Sequence, residues 1–117
     1  MHEHARLGRS GEDAACRLYE RMGFSIVDRN FRAGRGEIDL VAQRGSLLVF
    51  CEVKTRTDPR HGLPAEAVGY RKKAQIKRLA GAYLAGRHPG ATEIRFDVVS
   101  VVAGNGTWTV QHIPGAF

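Results

Sequence analysis

Two short apolar segments, joined by a polar turn and carrying charges at fixed places, constrain the fold of this chain most strongly. Residues 37–42 read Glu-Ile-Asp-Leu-Val-Ala, and residues 47–54 read Leu-Leu-Val-Phe-Cys-Glu-Val-Lys, with Gln-Arg-Gly-Ser between them. This pattern predicts a β-hairpin. Because the second strand is apolar at successive positions, both of its faces are apolar, which is typical of a central strand covered on both sides.

The register of this hairpin decides which charged residues meet. With Arg44 and Gly45 as a two-residue turn, Asp39 faces Phe50 and lies diagonal to Glu52, with Cα atoms roughly 7–8 Å apart. Side chains alternate along a strand, so one face collects the charged residues and the other is apolar. The first face comprises Glu37, Asp39, Val41, Leu48, Phe50, Glu52 and Lys54, and the second comprises Ile38, Leu40, Val49, Cys51 and Val53.

The flanking segments predict an α/β fold. The length of 117 residues is that of one domain, 1–117, whose residues 1–9 are interpreted as a mobile leader. Helices are predicted over about 10–22 and from Ala67 to about Gly86, the second after a loop over 58–64; strands are predicted over 24–31, 37–42, 47–54, 94–102 and 107–113. The order predicts a mixed central β-sheet flanked by helices.

The basic composition makes nucleic acid a candidate partner. Eighteen Lys and Arg against twelve Asp and Glu give a formal net charge of +6, with a pI near 9.9. The sequence contains no apolar run long enough to span a bilayer and no signal-peptide pattern, so we expect no membrane association and a cytoplasmic location. Cys16 and Cys51 lie inside apolar patterns and are interpreted as core residues.

The charged face of the hairpin suggests a metal site. The carboxylates of Asp39 and Glu52 could hold a divalent cation between them, and Mg²⁺ suits such hard oxygen ligands. Lys54, on the same face, could orient an attacking water or stabilise charge on a phosphate. The alternative is that Lys54 simply forms a salt bridge with Glu52 or Glu37 at the strand end.

The segments Gly36-Glu37-Ile38-Asp39-Leu40-Val41-Ala42 and Glu52-Val53-Lys54-Thr55-Arg56 resemble the PD-(D/E)xK nuclease superfamily. The pattern is most similar to the small bacterial YraN-like group, UPF0102, which is similar to archaeal Holliday-junction resolvases. The resemblance implies a restriction-endonuclease-like three-layer fold and phosphodiester hydrolysis with Mg²⁺, or Mn²⁺, that leaves a 5′-phosphate. Ile38 stands where the superfamily name has proline.

Carried over by position, the resemblance implies that Asp39 and Glu52 ligate the metal and that Lys54 is the catalytic lysine. Glu12 matches the acidic residue that some resolvase-like members contribute from their first helix; alternatively, it only favours the helix dipole. Glu37 is an extra acid that could be a ligand, a partner of Lys54 or a solvent-facing residue. Gln75 matches a polar helper in some members but is interpreted as a surface residue.

Basic residues near the predicted site are candidates for phosphate contacts, namely Arg35, Arg56, Lys73 and Lys77. A solvated basic face is the alternative. Asp97, in an apolar strand, is interpreted as the partner of an arginine, and Trp108 as a packing residue rather than a base-stacking platform.

The sequence thus predicts a nuclease acting on structured or branched DNA, with a homodimer as one means of cutting two strands. The alternative functions are a nucleic-acid-binding protein without efficient cleavage and an interaction module.

Overall fold

The computed structural model describes residues 2–57, 69–87, 90–104 and 106–117, and this part of the chain contains two helices and five strands. In chain order they are α1 (His2–Arg21), β1 (Ser25–Arg32), β2 (Glu37–Arg44), β3 (Leu47–Arg56), α2 (Tyr70–Arg87), β4 (Glu93–Gly104) and β5 (Thr107–Ile113). This is the predicted order of elements. The loop predicted over 58–64 and the predicted start of the second helix at Ala67 lie outside the described residues.

The first helix differs from its predicted bounds. The spacing of Ser10 and Asp13 predicts a start near residue 10, but α1 begins at His2. Ser10 therefore lies inside the helix and does not cap it. The apolar residues from Ala14 onward predict only part of the helix, because a helix need not carry an apolar face along its whole length.

The five strands form one mixed sheet in the order β1-β2-β3-β4-β5. The pair β3–β4 is parallel, and the other three neighbouring pairs are antiparallel. Each face of the sheet carries a hydrophobic cluster. The cluster under α1 includes Ala15, Cys16, Tyr19, Leu40, Val49, Cys51 and Val99, and the cluster under α2 includes Val41, Leu48, Phe50, Ile76, Leu79, Tyr83 and Val98. The predicted α/β fold with a mixed sheet between helices is confirmed, and it is compatible with a restriction-endonuclease-like fold.

The β2–β3 register differs by two residues from the predicted one. Val41 pairs with Phe50 and Arg44 pairs with Leu47, so the turn consists of Gly45 and Ser46. Gly45 has a φ of +59°, which a type II′ hairpin turn requires at its first central position. Arg44 would be strained there, and this explains why the turn lies one residue further along. The shift moves Asp39 from a position diagonal to Glu52 to the position opposite it, one residue beyond the last paired residues, Leu40 and Cys51.

A glycine allows α1 to approach β3 closely. A Cβ atom at Gly11 would clash with Oγ1 of Thr55 and lie 3.2 Å from both its Cβ and its Cγ2. Gly11 is buried, and Thr55 lies on β3 three residues beyond Glu52. This contact therefore sets the distance between Glu12, the next residue of α1, and the charged end of β3.

Asp97 connects α1 to strands β4 and β5. Its fully buried carboxylate accepts hydrogen bonds from Tyr19 Oη at 2.7 Å, from Arg95 at 2.8 and 2.9 Å and from the Gly115 N–H at 3.0 Å. His112 Nε2 lies 2.8 Å away. These contacts hold the pKa of Asp97 below its ordinary value, despite its burial. The predicted arginine partner is confirmed as Arg95.

Replacing Gly11 by alanine is expected to destabilise the protein. The added methyl group clashes with Thr55, and overpacking of this kind costs about 1–3 kcal/mol, which outweighs the gain in helix propensity of about 1 kcal/mol. Gly81→Ala is the matched control, because no atom lies within 4 Å of a Cβ atom at that position of α2. Chemical denaturation should show Gly11→Ala less stable and Gly81→Ala slightly more stable than the wild type.

The double substitution Gly11→Ala with Thr55→Ala tests the cause, because it removes the hydroxyl and methyl groups that the new Cβ would meet. It should recover part of the loss. A stability of Gly11→Ala equal to that of Gly81→Ala would contradict the close approach of α1 to β3.

Candidate active site at the end of strands β2 and β3

Asp39 lies where the β2–β3 ladder ends. The last paired residues are Leu40 and Cys51, and beyond them the Asp39 Oδ2 accepts the backbone N–H of Val53 at 2.8 Å. The side chain thus replaces a main-chain acceptor and fixes its own orientation against β3. Asp39 is only 9% exposed, so this carboxylate is held at a defined place in a nearly dry environment.

Glu52 is the second buried acid of the site, with 5% exposure. Its Oε1 lies 3.9 Å from the Nζ of Lys54 and 4.0 Å from the Nζ of Lys72, at the outer limit of ion-pair contact. Its Oε2 is buried and has no hydrogen-bond partner among the described residues. Glu52 therefore has one oxygen near two ammonium groups and one oxygen that the surrounding protein leaves unsatisfied, which is energetically costly.

Burial and nearby negative charges raise the pKa of both acids. The pKa of Asp39 is raised from 3.8 to about 7, first by burial and then by the charge of Glu52. The pKa of Glu52 is also raised by burial, although Lys72 and Lys54 act to lower it. Carboxylates with raised pKa values in one place are typical of sites that bind cations or transfer protons.

Two further acids approach the pair from α1 and β2. The charges of Glu12 and Glu37 both contribute to the raised pKa of Asp39. Asn30 bridges them: with its amide nitrogen oriented toward the carboxylates, it lies 3.3 Å from Glu12 Oε1 and 2.9 Å from Glu37 Oε1. Arg29 Nη2 lies 3.7 Å from Glu12 Oε1. The pKa of Glu12 is raised, chiefly by burial.

The strand alternation breaks at Asp39. Ile38 packs in the cluster under α2, whereas Leu40 packs in the cluster under α1, so the prediction that they share a face is wrong. On the neighbouring strand, Asn30 has a φ of +54°, an uncommon conformation for a residue other than glycine. A local distortion of β1 and β2 thus brings Asp39 between the two layers, where it can approach Glu12 from α1 and Glu52 from β3.

The structure brings together the predicted acids and Lys54, and it adds Lys72 to them. Lys72 is one of several basic residues in α2, and sequence spacing alone does not single it out. Only the packing of α2 on the sheet shows that its ammonium group, rather than that of Lys73 or Lys77, reaches Glu52.

The four residues predicted to contact phosphates take different positions. The Lys73 and Lys77 ammonium groups lie over the rings of Phe117 and Phe96, at 5.8 and 5.9 Å from their centroids. Arg35 is exposed in the turn before β2, and Arg56 is half-buried at the end of β3. The structure does not test their contacts with phosphate.

Gln75 is not a simple surface residue. It is half-buried, and its Nε2 donates to the Arg35 carbonyl at 3.3 Å. Gly36 has a φ of +112°, which favours glycine, and a Cβ atom there would lie 2.6 Å from the Gln75 Cδ, so Gln75 would have to move to accommodate it. Gln75 therefore connects α2 to the turn that leads into Glu37 and Asp39.

The donor set fits a hard divalent cation. Asp39 and Glu52 supply two buried carboxylates, and the unsatisfied Oε2 of Glu52 is the kind of atom that a cation would complete. Within the described ranges, no group of three Asp, Glu, His or Cys side chains is arranged to hold a metal. A cation here would therefore keep several water ligands, as Mg²⁺ commonly does.

The protein is thus of the α/β class, with a mixed central sheet that carries a buried acidic pair beside two lysines. The chain belongs to the uncharacterised protein family UPF0102, whose profile matches residues 11–101. It is 53% identical over 113 residues to a UPF0102 protein of Frankia casuarinae, covering 95% of each chain. It is 46% identical over 116 residues to a UPF0102 protein of Syntrophotalea carbinolica, covering 99% of this chain and 94% of the relative.

No helix in the part of the chain that the structure describes is long and apolar enough to cross a membrane.

The raised pKa of Asp39 predicts a loss of stability with rising pH in a metal-free buffer. Between about pH 4 and pH 7 the folded protein keeps a proton on Asp39 that the unfolded chain has released, so the free energy of unfolding falls across this range. Asp39→Asn removes this titration and can still accept the Val53 N–H. We expect it to be more stable than the wild type at pH 8, by on the order of 1–4 kcal/mol.

Urea denaturation at several pH values, with a chelator present, measures this effect. Asp28→Asn serves as control, because Asp28 lies outside the cluster, 3.6 Å from Arg87. That variant should keep the wild-type decrease between pH 4 and pH 7. A decrease that persists unchanged in Asp39→Asn would show that another group is responsible.

Proposed function

We propose that this protein is a metal-dependent endonuclease that hydrolyses phosphodiester bonds in structured or branched DNA. The observation that carries the proposal is the buried pair of Asp39 and Glu52, with a raised pKa on each and an unsatisfied oxygen on Glu52. A buried pair of like charges destabilises a fold unless something compensates for it. A divalent cation and a phosphate supply that compensation, and the net charge of +6 favours an anionic polymer as substrate.

Each residue of the site has a distinct role in this proposal. Asp39 and Glu52 would hold Mg²⁺ or Mn²⁺, which supplies Lewis acidity to activate water and to offset the charge of the scissile phosphate. Lys54 is half-exposed beside Glu52, where its ammonium group can orient the attacking water and stabilise negative charge that develops on the phosphate. Lys72 approaches the same carboxylate from α2, and in this proposal its ammonium group would contact a neighbouring phosphate oxygen.

Glu12 and Glu37 complete the acidic side of the site. Asn30 and Arg29 hold Glu12, so we interpret Glu12 as a residue that positions the cluster and can hold the cation through a water molecule. Glu37 lies 3.4 Å from Arg32 Nε at the surface, which favours a positioning role.

The DNA substrate is part of the proposal and rests on the surrounding charges. Arg35, Arg56, Lys73 and Lys77 would contact phosphates without reading sequence, so affinity should depend strongly on salt and on the shape of the DNA. Cutting two strands requires two centres, which a homodimer would supply. A cytoplasmic location would give the protein access to such DNA.

A nucleic-acid-binding protein without efficient cleavage is the second candidate. It is favoured by the lack, in the described segments, of a third carboxylate arranged with Asp39 and Glu52 to hold a metal. In that function the two acids and Lys54 would form a structural ion-pair network, and binding would depend on the basic residues alone.

Cleavage of labelled branched and linear DNA in Mg²⁺, Mn²⁺ or a chelator tests the enzyme directly. We expect metal-dependent cleavage that Asp39→Asn abolishes, because the cation loses a charged ligand. Lys54→Ala should lower the cleavage rate about 100- to 1,000-fold, the usual effect of removing one group that stabilises the transition state. Arg78→Ala is the control, since it removes one positive charge from an exposed position of α2 that has no role in the proposal, and it should retain the rate.

Calorimetric titration of Mn²⁺ separates the two candidates. The wild type should bind the ion, Asp39→Asn should not, and Asp28→Asn should bind like the wild type. DNA binding without Mn²⁺ binding or cleavage would reject the enzyme and support the second candidate.

A further inference from the structure

A groove runs along the outer side of α1, away from the acidic cluster. Its volume is about 420 Å³, and it is lined by Ser10, Asp13, Ala14, Arg17, Arg21, Trp108 and Val110. The α1 members recur every three or four residues, so they share one face of the helix. The opposite face of α1 carries the buried residues Ala15 and Tyr19. The groove therefore lies between the exposed side of α1 and strand β5.

The helix wall of this groove is positively charged. Arg17 and Arg21 are exposed, and within the described ranges neither forms an ion pair. Asp13, the acid in the wall, already binds Arg29 Nη2 at 2.8 Å. The two guanidinium groups are thus available to an anion, and the spacing of four residues places the Cα atoms of Arg17 and Arg21 about 6 Å apart along the helix axis.

The strand wall presents an aromatic ring. Trp108, interpreted from the sequence as a packing residue, is 44% exposed, so much of its surface is open to a ligand. Val110, two residues along β5, is half-buried against the cluster under α1 and forms an apolar floor. An exposed aromatic ring beside unpaired cations is the combination that proteins use to bind single-stranded nucleic acid, in which bases stack and phosphates contact arginine.

We propose that this groove binds a single-stranded segment of nucleic acid. Adjacent phosphates contact Arg17 and Arg21, and one base stacks on Trp108. A duplex is unsuitable, because its bases are already stacked on each other and cannot reach the indole ring. The inference rests on the proposed function in taking nucleic acid as the ligand, but it does not depend on cleavage. In this proposal, the groove binds the unpaired strand of a branch, a flap or an end.

The fluorescence of Trp108 reports on this groove directly, because it is the only tryptophan in the chain. We expect a short oligothymidylate or oligouridylate, titrated in a chelator so that no metal-dependent cleavage occurs, to quench this emission in a saturable way. Quenching by either polymer supports the groove, and their relative affinities distinguish DNA from RNA. No quenching by either polymer at low salt would overturn the proposal.

Substitutions identify the contacts. The double variant Arg17→Ala with Arg21→Ala should bind more weakly, and its plot of log affinity against log salt should be shallower by roughly 1.4, about 0.7 for each lost phosphate contact. Arg71→Ala with Arg78→Ala removes the same charge from exposed positions of α2 and should change quenching much less. Equal losses in the two double variants would overturn the proposal, because the effect would then be general electrostatics.

The role of the ring is tested with a fluorescently labelled oligonucleotide and its anisotropy. Trp108→Ala should weaken binding about 5- to 150-fold, the range expected for the loss of one stacked base, and Trp108→Phe should restore part of the affinity. Unchanged affinity in Trp108→Ala would overturn the stacking contact. Cleavage without Trp108 quenching would reject only the groove, whereas quenching without cleavage would reject only the enzyme.

Discussion

The juxtaposition of two buried carboxylates at the end of β2 and β3 is the constraint on which the rest of the site depends. Asp39 can face Glu52 only because the hairpin turns at Gly45 and Ser46, and it is oriented only because the ladder ends and frees the Val53 N–H. Burying like charges together costs free energy, which the raised pKa of each acid reflects. The close approach of α1 at Gly11 then brings a third acid, Glu12, toward the pair.

Asp97 shows that this fold can stabilise a buried carboxylate by surrounding it with hydrogen-bonding groups. It is more deeply buried than Asp39, yet its pKa is lowered, because Tyr19, Arg95, His112 and Gly115 surround it with hydrogen-bonding groups. Glu52 lies in the same sheet and keeps an oxygen with no partner among the described residues. The contrast argues that the unsatisfied state of the acidic pair is not a general weakness of the core. It is local, and it faces two lysines, as a site for an ion and an anionic substrate would require.

Sequence patterns predicted the elements well because apolar periodicity and turn residues are local signals. The patterns predicted that Asp39, Glu52 and Lys54 lie close together. This prediction does not depend on the exact register, because a shift of two residues leaves the three side chains in the same part of the two adjacent strands. They could not predict the break in alternation at Asp39, which arises with the positive φ of Asn30 on the neighbouring strand. Nor could they select Lys72 from the basic residues of α2, because that choice depends on how the helix packs on the sheet. The exposure of Trp108 likewise depends on where α1 lies relative to β5.

In the two proposals, opposite faces of helix α1 contribute to different sites. Its inner side carries Glu12 to the acidic pair, while Arg17 and Arg21 on its outer side line the groove with Trp108. The lysines of α2 lie on the opposite face of the sheet from α1. A duplex held on the α2 side and an unpaired strand held on the α1 side would meet at the end of β3, where Glu52 and Lys54 lie. If both proposals hold, this arrangement would suit a junction between single and double strands better than a continuous duplex, and recognition would follow from the shape of the nucleic acid.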